Sequence, residues 1–278
     1  EHPGPWPSFG LPHDIPDEVV DAVDRATAHG VRTQLIRHPL VRRATRSRRV
    51  YLAWTRPPET GSRAGGGSWV EGSELADLRA LGALDWAALA NGRRPGFGAA
   101  VTQPLLLVCT HGRRDSCCAR YGRPAAVALC RSYPGVWETT HVGGDRFAAN
   151  LVCLPHGTYH GQVSPSVAAR VAAAALRGEI DLEHYRGRAG LAPEMQAAEW
   201  YARHETGERR ADAVRVVRRQ EVGGGRTAVD LAVGWGGHRV RVTLRATRTG
   251  APRLTSCTAG SFDDPWRFEL VSISTALH

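Results

Sequence analysis

The sequence predicts a mixed α/β fold, and three observations carry that prediction. PLLLVC at 104–109 is a continuous apolar run suited to a strand buried on both faces. SPSVAARVAAAAL at 164–176 has helical spacing, with Ser164 placed to cap it, Pro165 at its first position and Gly178 to end it. The carboxyl part, with VRVVRRQEV, TAVDLAV and HRVRVTLRAT, alternates like antiparallel strands about the turns GGG (223–225) and GWGG (234–237).

The remaining elements follow in chain order. EHPGPWPSFGLP reads as a loop, and Ile15 to His29 has helical spacing stopped by Gly30. Two short β-type runs, at 31–38 and 49–54, flank an arginine-rich stretch and complete a small α/β unit. RPPETGSRAGGGS (56–68) has the composition of a flexible loop, and SELADLRALGALDWAALANG after it reads as a helix broken by PGFG at 95–98. Behind PLLLVC, AAVALC (125–130) reads as a helix with Pro124 near its first turn. VWETTHV (136–142) reads as a strand, Gly143-Gly144 as a turn, and RFAANLVCLPHGTYHGQV as one or two strands; helices follow at 164–176 and around 193–204. Strand, loop, helix, strand, strand, helix is a thioredoxin-like order. The chain divides on this reading into an N-terminal α/β unit (1–98), a central domain (99–206) and a small β-rich appendage (207–278), with no solenoid repeat.

Composition limits the function classes. A chain of 278 residues with 42% hydrophobic content can bury a core without metal or disulfide staples. Six cysteines are too sparse for a disulfide scaffold, so a reducing, cytoplasmic compartment is expected. The formal charge is +9, and all 36 basic residues are Arg. They spread along the chain with only modest local runs, without the aromatic-interleaved stripe of a nucleic-acid binder, so nucleic acid is not an expected partner. No window reaches the ~18 apolar residues of a membrane span, so no membrane partner is expected either.

The chemistry concentrates in CTHGRRDSCC (109–118), which holds three cysteines, a histidine and an aspartate. Cys130, on an apolar helix, and Cys257 read as small apolar fillers. The CxxC of thioredoxin-type redox sites is absent and adjacent Cys117-Cys118 would be strained as a disulfide, though Cys109 can still pair with either. Structural zinc knuckles need closer spacing than that between Cys109 and the pair. Cys109-Thr-His111 with Cys153-Leu-Pro-His156 gives a Rieske-like pattern, but in a loop leading to a helix rather than capping a β domain. A [2Fe–2S] cluster uses most of the motif: Cys109 and Cys118 have the loop spacing of thioredoxin-like ferredoxins, and His141-Val-Gly-Gly-Asp145 gives an i, i+4 pair on a turn. Asp115 beside Arg114 reads as a loop-fixing ion pair, and His156 and His160 as structural. His111 is either a donor behind the ligands or a satisfied loop histidine. No GxGxxG fingerprint and no convincing carboxylate pair for glycoside hydrolysis is present.

EHPGPWP (1–7), CTHGRRDSCCARYGRP (109–124), HVGGDRFAANLVCLPHG (141–157), LEHYRGRAG (182–190), QAAEW (196–200) and LTSC (254–257) together resemble the sucrase/ferredoxin-like family, whose members contain a thioredoxin-like ferredoxin domain. The resemblance implies a [2Fe–2S] cluster held by Cys109, Cys118 and His141, with Asp145 where characterised relatives have a second histidine. Asp145, a water or Cys153 is the fourth ligand on that basis, unless the cluster has been lost. With one histidine and one carboxylate, the potential is expected above the roughly −400 mV of plant-type ferredoxins and below a bis-histidine site, with His141 coupling reduction to protonation. Gly143 and Gly144 would bring backbone amides close to the sulfides, and Arg113, Arg114 and Arg146 would offset charge or dock an acidic partner. The expected protein is an electron carrier more than an enzyme, served by an external redox donor and acceptor. The alternative is a cluster-free thiol-redox or binding protein acting through Cys109, Cys117 and Cys118.

Overall fold

The computed structural model describes residues 1–41, 47–55, 67–258 and 260–276; the side chains of Asp145 and Ala276 also lie outside the description. The loop expected at 56–68 falls largely outside the described residues, as do Arg42, Arg43 and Arg46. In chain order the elements begin with α1 (Asp17–Ala28), β1 (Ile36–Arg37), β2 (Arg48–Trp54), β3 (Trp69–Leu75), a 3-10 turn (Leu78–Ala83), α2 (Trp86–Ala90) and β4 (Ala99–Ala100). The centre comprises β5 (Leu105–Cys109), α3 (Ser116–Cys130), β6 (Val136–Thr139), a 3-10 turn (Asp145–Phe147), β7 (Leu151–Leu154), β8 (Thr158–His160), α4 (Pro165–Leu176), β9 (Tyr185–Arg188) and α5 (Pro193–Thr206). The carboxyl part is β10 (Val214–Glu221), β11 (Arg226–Val233), β12 (His238–Arg248), β13 (Arg253–Leu254), β14 (Phe262–Asp263) and β15 (Trp266–Ala276). Among the described residues no helix is long and apolar enough to cross a membrane.

A mixed six-stranded sheet in the order β1-β6-β5-β7-β8-β9 forms the centre, making this an α/β protein. β5 and β6 run parallel through the α3 crossover, and β7 lies antiparallel between β5 and β8. Every residue of β5 is buried, because both faces are covered. On one face Leu106, Val108, Leu151 and Cys153 pack against Ala125 and Leu129 of α3 and Ala168, Val171 and Ala172 of α4. On the other, Leu105, Leu107, Cys109, Trp137 and Val152 meet Tyr51, Ala53 and Val70 of the small β2-β3-β4 sheet. The far side of that sheet, through Leu52 and Trp69, packs on α1, Leu81, Trp86 and Leu89. Strand alternation thus puts Cys109 and Cys153 on opposite sides of the central sheet.

Several elements depart from their expected bounds. Residues expected as one helix over 73–92 divide among β3, a 3-10 turn and α2. Trp69 to Leu75 ladder against β2, while Asp77 accepts from the Arg79 N–H (2.9 Å) and Asp85 from the Ala88 N–H (2.9 Å), so each carboxylate restarts a short helix. Of the run at 31–38, Ile36 and Arg37 form the ladder with β6. α3 begins at Ser116, well before the expected 125, and carries Pro124 in its interior.

The carboxyl strands form the expected antiparallel sheet, β10-β11-β12-β15, and α5 covers its inner face through Ala198 and Ala202 against Val229, Leu231, Val242 and Leu244. α5 is tied to the central sheet by a buried triad in which Glu199 accepts from Arg188 (2.8 Å) and Arg203 (2.9 Å), each no more than 1% exposed. Burial favours the neutral acid, yet the two guanidiniums outweigh it and hold the Glu199 carboxyl below its usual range. Its stabilising contribution is therefore full above the unfolded pKa of about 4.3 and is lost as pH falls through the lower folded value. Glu199→Gln should cost about 3–5 kcal/mol in denaturant unfolding at pH 7, because two guanidiniums remain buried without their anion, and should flatten the acid limb of the stability profile.

Candidate metal centre

Cys109 ends β5, where its N–H donates to the carbonyl of Asn150 (3.0 Å) and the next residue, Thr110, donates to the carbonyl of Thr139 (3.1 Å). The chain then turns through His111 to Arg114 and enters α3 at its cap residue, Asp115. The Asp115 carboxylate is fully buried; one oxygen accepts from the Cys117 N–H (2.9 Å) and the other from the Cys257 N–H (2.9 Å). That cap fixes the helical phase, so Cys118 packs into the cluster with Cys109 while Cys117 is joined to Cys257 in a disulfide, Cα–Cα 6.2 Å. His141, just after β6, completes a group whose ligand atoms all lie within 4.8 Å of one another: Cys109, Cys118 and His141.

The surroundings support a charged sulfur. The Cys109 thiol is drawn down to about 5, chiefly by the hydrogen bond from Cys118; burial opposes this, while His141 and the backbone N–H groups of His111 and Val142 add to it. Cys109 and Cys118 are 0% and 1% exposed, whereas His141 is half-buried, so His141 is the described member that reaches toward solvent. Two soft sulfurs and an imidazole at these separations suit zinc, iron or an iron–sulfur cluster.

The other predicted residues fall as follows. His111 is hydrogen-bonded at both ring nitrogens: its Nε2–H donates to the carbonyl of Pro7 (2.7 Å) and its Nδ1 accepts from the His141 N–H (3.1 Å), which positions the His141 backbone. Gly143 and Gly144 have φ of 91° and 71°, and space lies open where a Gly143 Cβ would stand. Arg113 and Arg146 are exposed; Arg146 lies over the Phe147 ring (5.2 Å). The Asp145 backbone belongs to the 3-10 turn after the glycines, and its side chain lies outside the described residues. Cys153, considered as an alternative ligand, is on the far face of the sheet beside His160 (3.9 Å), with its thiol pushed up to about 12 by burial. Cys257, expected as filler, is instead a disulfide partner, and Asp115 fixes its loop through backbone N–H groups while Arg114 lies over Phe9 (5.1 Å).

Four further contributors were not among the expected site residues, although Trp6, Gly122 and Asn150 lie within the stretches that carry the family resemblance. Asn150 accepts from Cys109 through its backbone and donates through Nδ2 to the carbonyls of Gly143 (3.1 Å) and Gly144 (2.9 Å), locking two ligand segments together. Trp6 is buried and donates to Thr110 Oγ1 (3.1 Å). Glu138, fully buried on β6, accepts from Arg37 (2.5 Å), Arg123 (3.1 Å) and Thr110 Oγ1 (3.3 Å). A Cβ at Gly122 would run into the carbonyl oxygen of Cys109, so that glycine lets α3 pass against the end of β5.

Two variants test this construction. Asp115→Ala removes a helix cap and the anchor of the 257 loop together and should cost about 2 kcal/mol or more in denaturant unfolding. Cys257→Ser opens a cross-link spanning 140 residues and should cost about 2–4 kcal/mol.

A search of curated proteins finds no match to this chain, and a search of solved structures finds none. A family model described as sucrase/ferredoxin-like matches residues 13–187, a span that contains Cys109, Cys118, His141 and Asp145 and stops before α5 and the carboxyl sheet. That match covers well over half of the 278 residues, and the chain belongs to the sucrase/ferredoxin-like family.

Proposed function

We propose that this chain carries single electrons through a [2Fe–2S] cluster held by Cys109, Cys118, His141 and Asp145. The observation that supports this most is the convergence of Cys109, Cys118 and His141 from the end of one strand, the first turn of a helix and the loop after a second strand. The sheet order supports it too: a parallel strand–helix–strand unit followed by an antiparallel pair and a helix is the arrangement of a thioredoxin-like core. When bound, such a cluster supplies reversible one-electron chemistry.

This chain's own residues hold and insulate the centre. Cys109 and Cys118 lie beneath the β2–β3 sheet, where Val70, Trp137 and Val142 keep water from their sulfurs. The backbone N–H groups of His111 and Val142 favour the thiolate at Cys109, and the α3 amino terminus places its positive dipole end beside Cys118. Asn150 holds the glycine turn in place, and half-buried His141 is the contact point for a redox partner. A second reading, a single tetrahedral zinc or iron ion, is favoured by the short mutual distances, since separations near 4 Å follow from metal–ligand bonds of about 2.0–2.3 Å.

Anaerobic purification followed by iron, zinc and acid-labile sulfide assay separates the readings. Two irons and two sulfides per chain are expected, with a visible and EPR signature that disappears in Cys118→Ala and shifts in Asp145→His. One metal without sulfide would replace the cluster with the single-ion site. A chain without metal that gains a cluster only as Asp145→His would leave the thiol reading through Cys109 and Cys118.

A further inference from the structure

The arginines that lie scattered in the sequence are gathered by the carboxyl sheet onto one face. Pairing of β10, β11, β12 and β15 puts Arg215, Ala232 and Arg239 in one row, and Arg218, Asp230, Arg241 and Ser274 in the next row on the same side. Gln220, Ala228, Thr243 and Ser272 continue that side, followed by Arg226, Arg245 and Glu269, and then Thr247 and Arg267. The bulges at Val216/Arg218 and Thr243/Leu244 preserve this alternation, because Val216, Val229, Val242 and Ile273 all remain on the opposite side under α5. The outer face therefore carries seven arginines against Asp230 and Glu269, a surplus of five positive charges out of the chain's formal +9.

We propose that this face docks an acidic protein surface through guanidinium–carboxylate pairs. Arg215, Arg218, Arg239 and Arg245 make no ion pair or side-chain hydrogen bond among the described residues. The face already shows the contact it favours: Arg241 grips Asp230 with both arms of its fork, Nε to Oδ1 at 2.6 Å and Nη2 to Oδ2 at 2.9 Å. Beside this pair Asp230, Arg239, Arg241 and Ser274 line a shallow depression of about 370 Å³, with room for a further carboxylate. Side chains recur about 7 Å apart along each strand and about 5 Å across strands, so the arginines leave the sheet from regularly spaced positions interspersed with small residues such as Ala228, Ala232 and Ser274. The face has no aromatic ring among its described residues on which a nucleobase would stack, which favours protein over nucleic acid.

This inference is independent of the electron-carrier reading, since binding is measured with the centre as purified. Fluorescence anisotropy of a labelled oligoglutamate peptide, at several salt concentrations, would be compared among three proteins. These are the wild type, the face variant Arg215→Ser/Arg239→Ser/Arg245→Ser, and a control of equal charge, Arg93→Ser/Arg131→Ser/Arg209→Ser, drawn from exposed arginines elsewhere. The face variant should bind about tenfold more weakly and with a reduced salt slope, while the control stays near wild type. Asp230→Asn, which removes an anion from the face and releases Arg241, should bind several-fold more tightly, a gain that misfolding does not produce. Equal loss in both triple variants, or no peptide binding at low salt, would overturn the proposal. A DNA duplex of matched charge that outbinds the peptide, with its binding lost in the face variant, would reassign the surface to nucleic acid.

Discussion

The buried carboxylate of Asp115 is the constraint on which the candidate centre depends. A carboxylate at 0% exposure is stable only if its oxygens are taken up, and here each accepts a backbone N–H: one from Cys117, the other from Cys257, 142 positions later in the chain. The first bond sets where α3 begins and hence its rotation. In a helix adjacent residues diverge by about 100°, so a fixed start sends Cys118 inward to Cys109 and leaves Cys117 facing the carboxyl loop. The second bond and the disulfide then hold that loop beside the same helix turn. One side chain couples a local cap, the choice between two adjacent thiols, and the attachment of the carboxyl region.

The site itself is built from strand ends rather than from one motif. β5 delivers Cys109 from a strand with no freedom to shift, being covered by helices on one face and by a second sheet on the other. The loop after β6 brings His141 alongside because β5 and β6 are parallel neighbours whose carboxyl ends coincide. Asn150, at the start of the antiparallel β7, ties these two ends together from the third strand. Gly122 completes the approach on the helix side, where a methyl group would force α3 away from the Cys109 carbonyl. The amino-terminal strap with Trp6 and Pro7 closes over the loop by bonding Thr110 and His111.

Charge is distributed with the same economy of position. Arginines inside the molecule are matched to buried carboxylates, Arg188 and Arg203 to Glu199 and Arg37 to Glu138, and each joins elements far apart in sequence. Those on the outer carboxyl sheet are largely unmatched and face water, where desolvation costs nothing until a partner arrives. The inner set stabilises the architecture, and the outer set is left available for recognition.

The sequence by itself determined the α/β class, the buried character of β5, the capped helix at 165–176, the antiparallel carboxyl strands and the family. These are local properties: apolar runs, helical or alternating periodicity, capping residues and a long contiguous motif. It also singled out Cys109, Cys118 and His141, which the fold brings together, because their residue types and spacings are visible along the chain. Tertiary structure alone decided that Cys117 pairs with Cys257, that Cys153 lies on the wrong face, and that 73–92 is a strand and two short helical turns rather than one helix. It likewise decided that dispersed arginines form a single charged face. Each of these depends on strand register, helix phase or contacts across more than a hundred residues, and a linear pattern carries none of those quantities until the sheet has formed.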